Sequence, residues 1–167
     1  MPIVTLKTSK GIIKIELDTE NTPETANNFL TYVNEKFYDG VIFHRVIKNF
    51  MIQAGGFTPD MQQKKTHPEI KNEANKGGKN KKGTIAMART SDPHSASSQF
   101  FINLVDNEFL DFTSEEKQNG WGYCAFGQVI EGIEVVTEIG NVKTGSKNGH
   151  GDVPLENIVI ESVTVEE

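Results

Sequence analysis

The chain has 167 residues, enough for one domain with a real hydrophobic core. It is 36% hydrophobic, carries ten phenylalanines and has a formal net charge of −6, which argues against the basic footprint of a dedicated nucleic-acid binder. Cys124 is the only cysteine, no apolar run approaches the ~20 residues that span a bilayer, and MPIVTLKTSKG does not read as a signal peptide. The expectation is one cytoplasmic domain over residues 1–167, without an intrachain disulfide or a membrane segment.

Val4 and Leu6, then Ile13, Ile15 and Leu17, alternate with polar residues around Ser9-Lys10-Gly11, which predicts a hairpin. Thr22 as N-cap and Pro23 at the first helical position predict a helix. Its apolar stripe is Ala26, Phe29, Leu30 and Val33. After Tyr38-Asp39-Gly40, strands are expected around 41–47 and 50–54. In the first of these, Phe43, Arg45 and Ile47 share one face by simple alternation. An arginine among large apolar neighbours is either snorkelling at a rim or aimed into an apolar groove.

Residues 58–83 carry little periodicity and read as an elaborated loop. Its basic knot, Lys76, Lys79, Lys81 and Lys82, reads first as a solvated face and second as a phosphate or RNA contact. Strands follow over 84–89, 99–103 and 123–130, with Phe109-Leu110 in a short turn or helix. A second helix follows Gly132, with Ile133, Val136 and Ile139 inward and Gly140 as its stop. A glycine-rich loop to Pro154 and a strand over 158–165 complete the chain. About eight strands and two helices point to antiparallel β structure in a closed barrel, since closure removes exposed edges.

The four histidines are scattered, and no HExxH or CxxC arrangement occurs, so no metal site is expected. There is no GxSxG elbow and no Walker loop. Cys124 lies in an apolar strand and reads as a buried thiol. What the chain offers is Arg45 with phenylalanines and amide side chains, and no cofactor chemistry. The reaction that needs neither nucleophile, metal nor cofactor is rotation about a bond.

FHRVIKNFMIQAGGF, then KNEAN, GTIAMAR, SQFFINL, GWGYCAFGQV and FGQVIEG, resemble the cyclophilin family of peptidyl-prolyl cis-trans isomerases, nearly end to end and in its bacterial cytoplasmic branch. The resemblance implies a mainly β protein, a closed eight-stranded antiparallel barrel capped by two α-helices. It implies that Arg45 is catalytic, that Phe50, Met51, Phe101 and Leu110 line a proline pocket, and that Gln53 orients the substrate backbone. Ala88, Arg89 and Gln99 would border the groove for residues before the proline. Phe109 falls where the family carries a pocket tryptophan, Tyr123 where it carries a histidine, and Arg89 where eukaryotic members carry an asparagine; Ala54 stands where a glycine is common. Loss of the indole N–H at Phe109 implies weak cyclosporin binding. The implied partners are proline-containing peptides and folding proteins; the acidic net charge leaves nucleic acid an unexpected partner, and nothing in the chain demands more than a monomer. A proline-reading binding module or chaperone with incidental turnover is the alternative; a small-molecule carrier would need a hollow barrel.

Overall fold

Alternation in Ile3–Thr8 (β1) and Gly11–Leu17 (β2) sends Val4, Leu6, Ile13, Ile15 and Leu17 into the interior, each fully buried. The computed structural model describes residues 1–166. Further strands are Phe43–Ile47 (β3), Met51–Ala54 (β4), Thr84–Met87 (β5), Phe100–Asn103 (β6), Ala125–Glu131 (β7), Thr144–Lys147 (β8), His150–Pro154 (β9) and Ile160–Glu166 (β10). The helices are Pro23–Asn34 (α1) and Ile133–Gly140 (α2).

The expected closed barrel is not formed. One antiparallel sheet runs in the order β10-β1-β2-β7-β5-β6-β4-β3, strongly curled but open, a half-barrel capped by the two helices. Its edges β3 and β10 share no ladder; they meet at a corner, where Ile42 and Val159 form an isolated bridge. There Gly40 N–H donates to Ile160 O and Ile160 N–H to Val41 O, at 2.7 and 2.8 Å. The physical reason lies in the edges. The flank of β3 packs on β9, so that edge is covered without closure. The β8–β9 hairpin, expected as plain loop, seats Val153 with Ile42, Phe57 and Met61 in a small separate core.

The concave side of the sheet is filled, which removes the hollow-barrel carrier. Phe29 of α1 meets Phe100 edge-on at 5.4 Å between ring centroids, and Tyr38 and Phe126 complete the aromatic centre. From α2 the buried residues are Val135, Val136 and Ile139; Ile133, expected inward, is 40% exposed. Thr22 stands at the N-cap of α1, but its hydroxyl donates to Asp18 O at 2.6 Å. The free amide of Thr25 is taken instead by Glu73, whose carboxylate also accepts from the Thr25 hydroxyl, both at 2.7 Å. Residues 58–83 are thus not a purely solvated loop, because Asn72, Glu73 and Asn80 from it are buried.

Candidate active site

A β-bulge decides where Arg45 points. Phe43 pairs with Ala54 and Arg45 with Gln53, so one extra residue, His44, is inserted on β3. Phe43 and Val46 therefore face the core while Arg45 and Ile47 face outward, which corrects the simple alternation. A single row then crosses the outer sheet face by register: Arg45, Gln53, Phe101, Ala86 and Ala125. Strand spacing puts Arg45 two strands, roughly 10 Å, from Phe101. The small side chains of Ala86 and Ala125 leave a depression, and Met51, Phe101 and Leu110 pack with them as its apolar floor.

That depression holds about 420 Å³ including its open mouth, and is lined by Arg45, Phe50, Met51, Gln53, Ala88, Arg89, Phe101, Leu110 and Tyr123. The structure thus gathers nine of the eleven residues singled out from sequence. The other two flank it. Phe109 is 75% exposed and stacks on Phe50 at 5.7 Å, outside the lining. Gln99 lines an adjacent polar groove with Glu69, Thr90 and Ser95. It accepts a 3.0 Å hydrogen bond from Gln53 Nε2, so the two carboxamides act as a pair between the grooves.

Gly55 and Gly56 make that pair possible. Gly55 has φ +104°, and a Cβ on Gly56 would lie 2.7 Å from both Cγ and Nε2 of Gln99. The Arg89 guanidinium is engaged: Nε donates to Gly122 O at 3.0 Å, Nη1 donates to Thr90 O at 2.8 Å, and its plane lies 4.4 Å from the Tyr123 ring. Arg45 differs. It is exposed, and among the described residues its guanidinium makes neither a hydrogen bond nor an ion pair.

Behind Arg45, His44 is 5% exposed, its Nδ1 has no hydrogen-bond partner, and its ring lies 4.4 Å from that of Phe57. Burial, helped by the His150 and Arg45 charges, lowers its pKa from 6.5 to about 4. Burial pushes the Cys124 thiol up to about 12, which disfavours the nucleophilic thiolate. Among the described residues, no three of His, Cys, Asp and Glu gather to hold a metal ion, and no helix is long and apolar enough to cross a membrane. Lys76, Lys79, Lys81 and Lys82 are exposed and line no part of the depression.

The family model for cyclophilin type peptidyl-prolyl cis-trans isomerases matches residues 3–165. The chain belongs to that family. It is 56% identical to peptidyl-prolyl cis-trans isomerase B of Escherichia coli over 99% of this chain and 100% of that one. It is 58% identical to the isomerase cyp18 of Streptomyces antibioticus, over 99% of both. Among solved structures, a Cryptosporidium parvum cyclophilin crystallised in the presence of the dipeptide Ala-Pro superposes with a TM-score of 0.82 at 26% identity, over 99% of both chains. This cyclophilin is a peptidyl-prolyl isomerase.

Sequence reading missed a set of buried asparagines behind the pocket walls: Asn80, Asn103 and Asn107, at 1%, 0% and 3% exposure. The available signal was Asn103 at the end of an otherwise apolar strand, FFIN.

Proposed function

We propose that this cyclophilin accelerates rotation about X-Pro bonds in peptides and folding proteins by seating the proline ring on Met51, Phe101 and Leu110 beneath Arg45. The observation that carries this reading is the unengaged Arg45 cation beside an apolar floor, in one cross-strand row with Gln53 and Phe101.

Amide resonance gives X-Pro rotation a barrier of roughly 18–20 kcal/mol. Uncatalysed exchange takes tens to hundreds of seconds, so an ordinary turnover of about 10²–10³ s⁻¹ calls for roughly 5.5–7 kcal/mol of transition-state stabilisation. As the bond twists, resonance is lost and the prolyl nitrogen gains a lone pair. Arg45 donates a hydrogen bond to that lone pair. The planar amide has none to offer, so the interaction favours the twisted state, as catalysis requires. One preorganised donor supplies about 2.7–4 kcal/mol. The remainder comes from holding the ring on the phenyl floor while the peptide turns, and from a low-polarity wall that disfavours the charge-separated planar amide. Gln53, held by Gln99, orients the substrate backbone, and Ala88 and Arg89 border the residues before the proline.

Two further parts of the reading are testable in the same preparation. Phe109 offers no N–H donor and stands outside the lining, which supports weak cyclosporin binding, to be measured by calorimetry. A cytoplasmic monomer built as one domain is the expected state, checked by cell fractionation and by sedimentation. The reading as a whole is tested by exchange spectroscopy on an X-Pro peptide: wild type without acceleration, but with binding, would make this a proline-reading module.

A further inference from the structure

Phe50, Leu110 and Tyr123 line the pocket from three separate segments, none of them inside a strand: a turn, the end of the short 3-10 helix Glu108–Leu110, and a loop. Backbone bonds link them in part: Tyr123 N–H donates to Leu110 O at 2.8 Å, and Leu104 N–H to Phe50 O at 3.0 Å. A buried relay links them again. Asn107 Nδ2 donates to Phe50 O at 3.0 Å and to Asn103 Oδ1 at 2.8 Å. Asn103 Nδ2 donates to Asn80 Oδ1 at 3.2 Å and to Thr84 Oγ1 at 2.9 Å. Asn80 Nδ2 then donates to Tyr123 O at 3.1 Å and to Leu110 O at 3.2 Å, sharing a further contact with Asp111 Oδ1 at 3.3 Å.

We propose that Asn80, Asn103 and Asn107 are positioning residues for isomerisation, setting the spacing of the Phe50, Leu110 and Tyr123 walls around the proline ring. The proposal rests on the pocket assignment above. Its argument is the direction of the relay. Asn107 donates to Asn103 and Asn103 to Asn80, and both ends of the chain terminate on main-chain carbonyls of pocket-wall residues. A core built for stability alone would be served by apolar side chains, since a buried carboxamide only breaks even when every group is satisfied. Here every Nδ2 donor is satisfied, and the three side chains tie together segments that no ladder joins. Arg45 is outside the relay, so loosening it moves the binding surface and leaves the donor to the amide nitrogen in place.

The test is Asn80→Ala, assayed by exchange spectroscopy of an X-Pro peptide at several peptide concentrations. KM is expected to rise about tenfold, the scale of a lost buried hydrogen bond, with kcat within about twofold. In a Leu110→Ala background the same substitution should raise KM much less, because the wall it holds is already gone. Thr8→Val, which loses a 2.6 Å bond to Gly11 O in the distant β1–β2 turn, should lower stability and leave KM unchanged. An unchanged KM in folded Asn80→Ala, or equal effects in both backgrounds, overturns the proposal. If Asn80→Ala does not fold, Asn107→Ala at the Phe50 end is read by the same criteria. Wild-type protein gives an independent readout: the three carboxamide ¹H–¹⁵N signals should shift on titration with the peptide, and fixed signals count against the relay. Failure of the isomerase reading is distinct, since wild type itself would then show no acceleration.

Discussion

Phe101 carries the pocket floor, and its burial sets what its removal does. At 4% exposure, truncation in Phe101→Ala removes both core packing and the floor proposed to seat the proline ring. We expect a loss of about 3–5 kcal/mol in urea unfolding, with both KM and kcat impaired. Phe50→Ala, at a half-buried position, should impair both with less loss of stability. His44 makes a pH prediction. An unfolded histidine titrates near 6.5, whereas buried His44 holds off protonation until about pH 4. Between those values the unfolded chain binds the extra proton, so stability falls as pH falls, by up to about 3 kcal/mol. His44→Gln should flatten that part of the stability profile in urea titrations, and an unaltered slope would remove His44 as its source. Arg45, Phe50, Met51 and Gln53 are legible because the chain itself carries them close together, on two paired strands and the turn between them. Phe109 and Gln99 stand beside the depression rather than in its lining, since the loop backbone, not residue type, sets which way they project.

Elements fix these residues through departures from ideal geometry. The bulge at His44 converts a period-two reading into the right face for Arg45, and no feature of FHRVI announces it. Likewise the sequence placed the start of α1 correctly at Thr22-Pro23, yet the capping group is Glu73, 48 residues away from Thr25 in the chain. Local patterns expose the need for a cap but not a distant donor or acceptor. Glu73→Ala should therefore cost about 2 kcal/mol in urea unfolding, the scale of hydrogen bonds to a charged group. Turnover should be retained, because Glu73 lines no part of the depression. An effect near zero would show that water or another group serves the helix end equally well.

At the scale of the whole molecule, an open half-barrel explains why the groove lies outside rather than within. The concave side is packed solid, so the outer face across β3, β4, β6, β5 and β7 is what remains for a ligand. The eight strands of the main sheet and the two helices are readable from alternation and caps, but the β8–β9 hairpin is not, and closure depends on how two distant edges approach, which alternation does not encode. Net charge of −6 plays little part in seating a neutral peptide. For such a peptide kcat/KM should change less than about twofold between roughly 0.05 and 0.5 M salt, since no screened charge pair is being made. A steep salt dependence would instead bring in long-range charge, including the exposed lysines of residues 76–82.

The most direct measurement is cis–trans exchange of a short X-Pro peptide by NMR, for wild type and Arg45→Ala. We expect fast exchange in wild type and a fall in kcat of about 10²–10³-fold in the variant, with peptide affinity changed only a few-fold. Equal losses of binding and turnover in Arg45→Ala would contradict the role given to Arg45, because a residue that acts on the twisted amide has little to hold in the planar one.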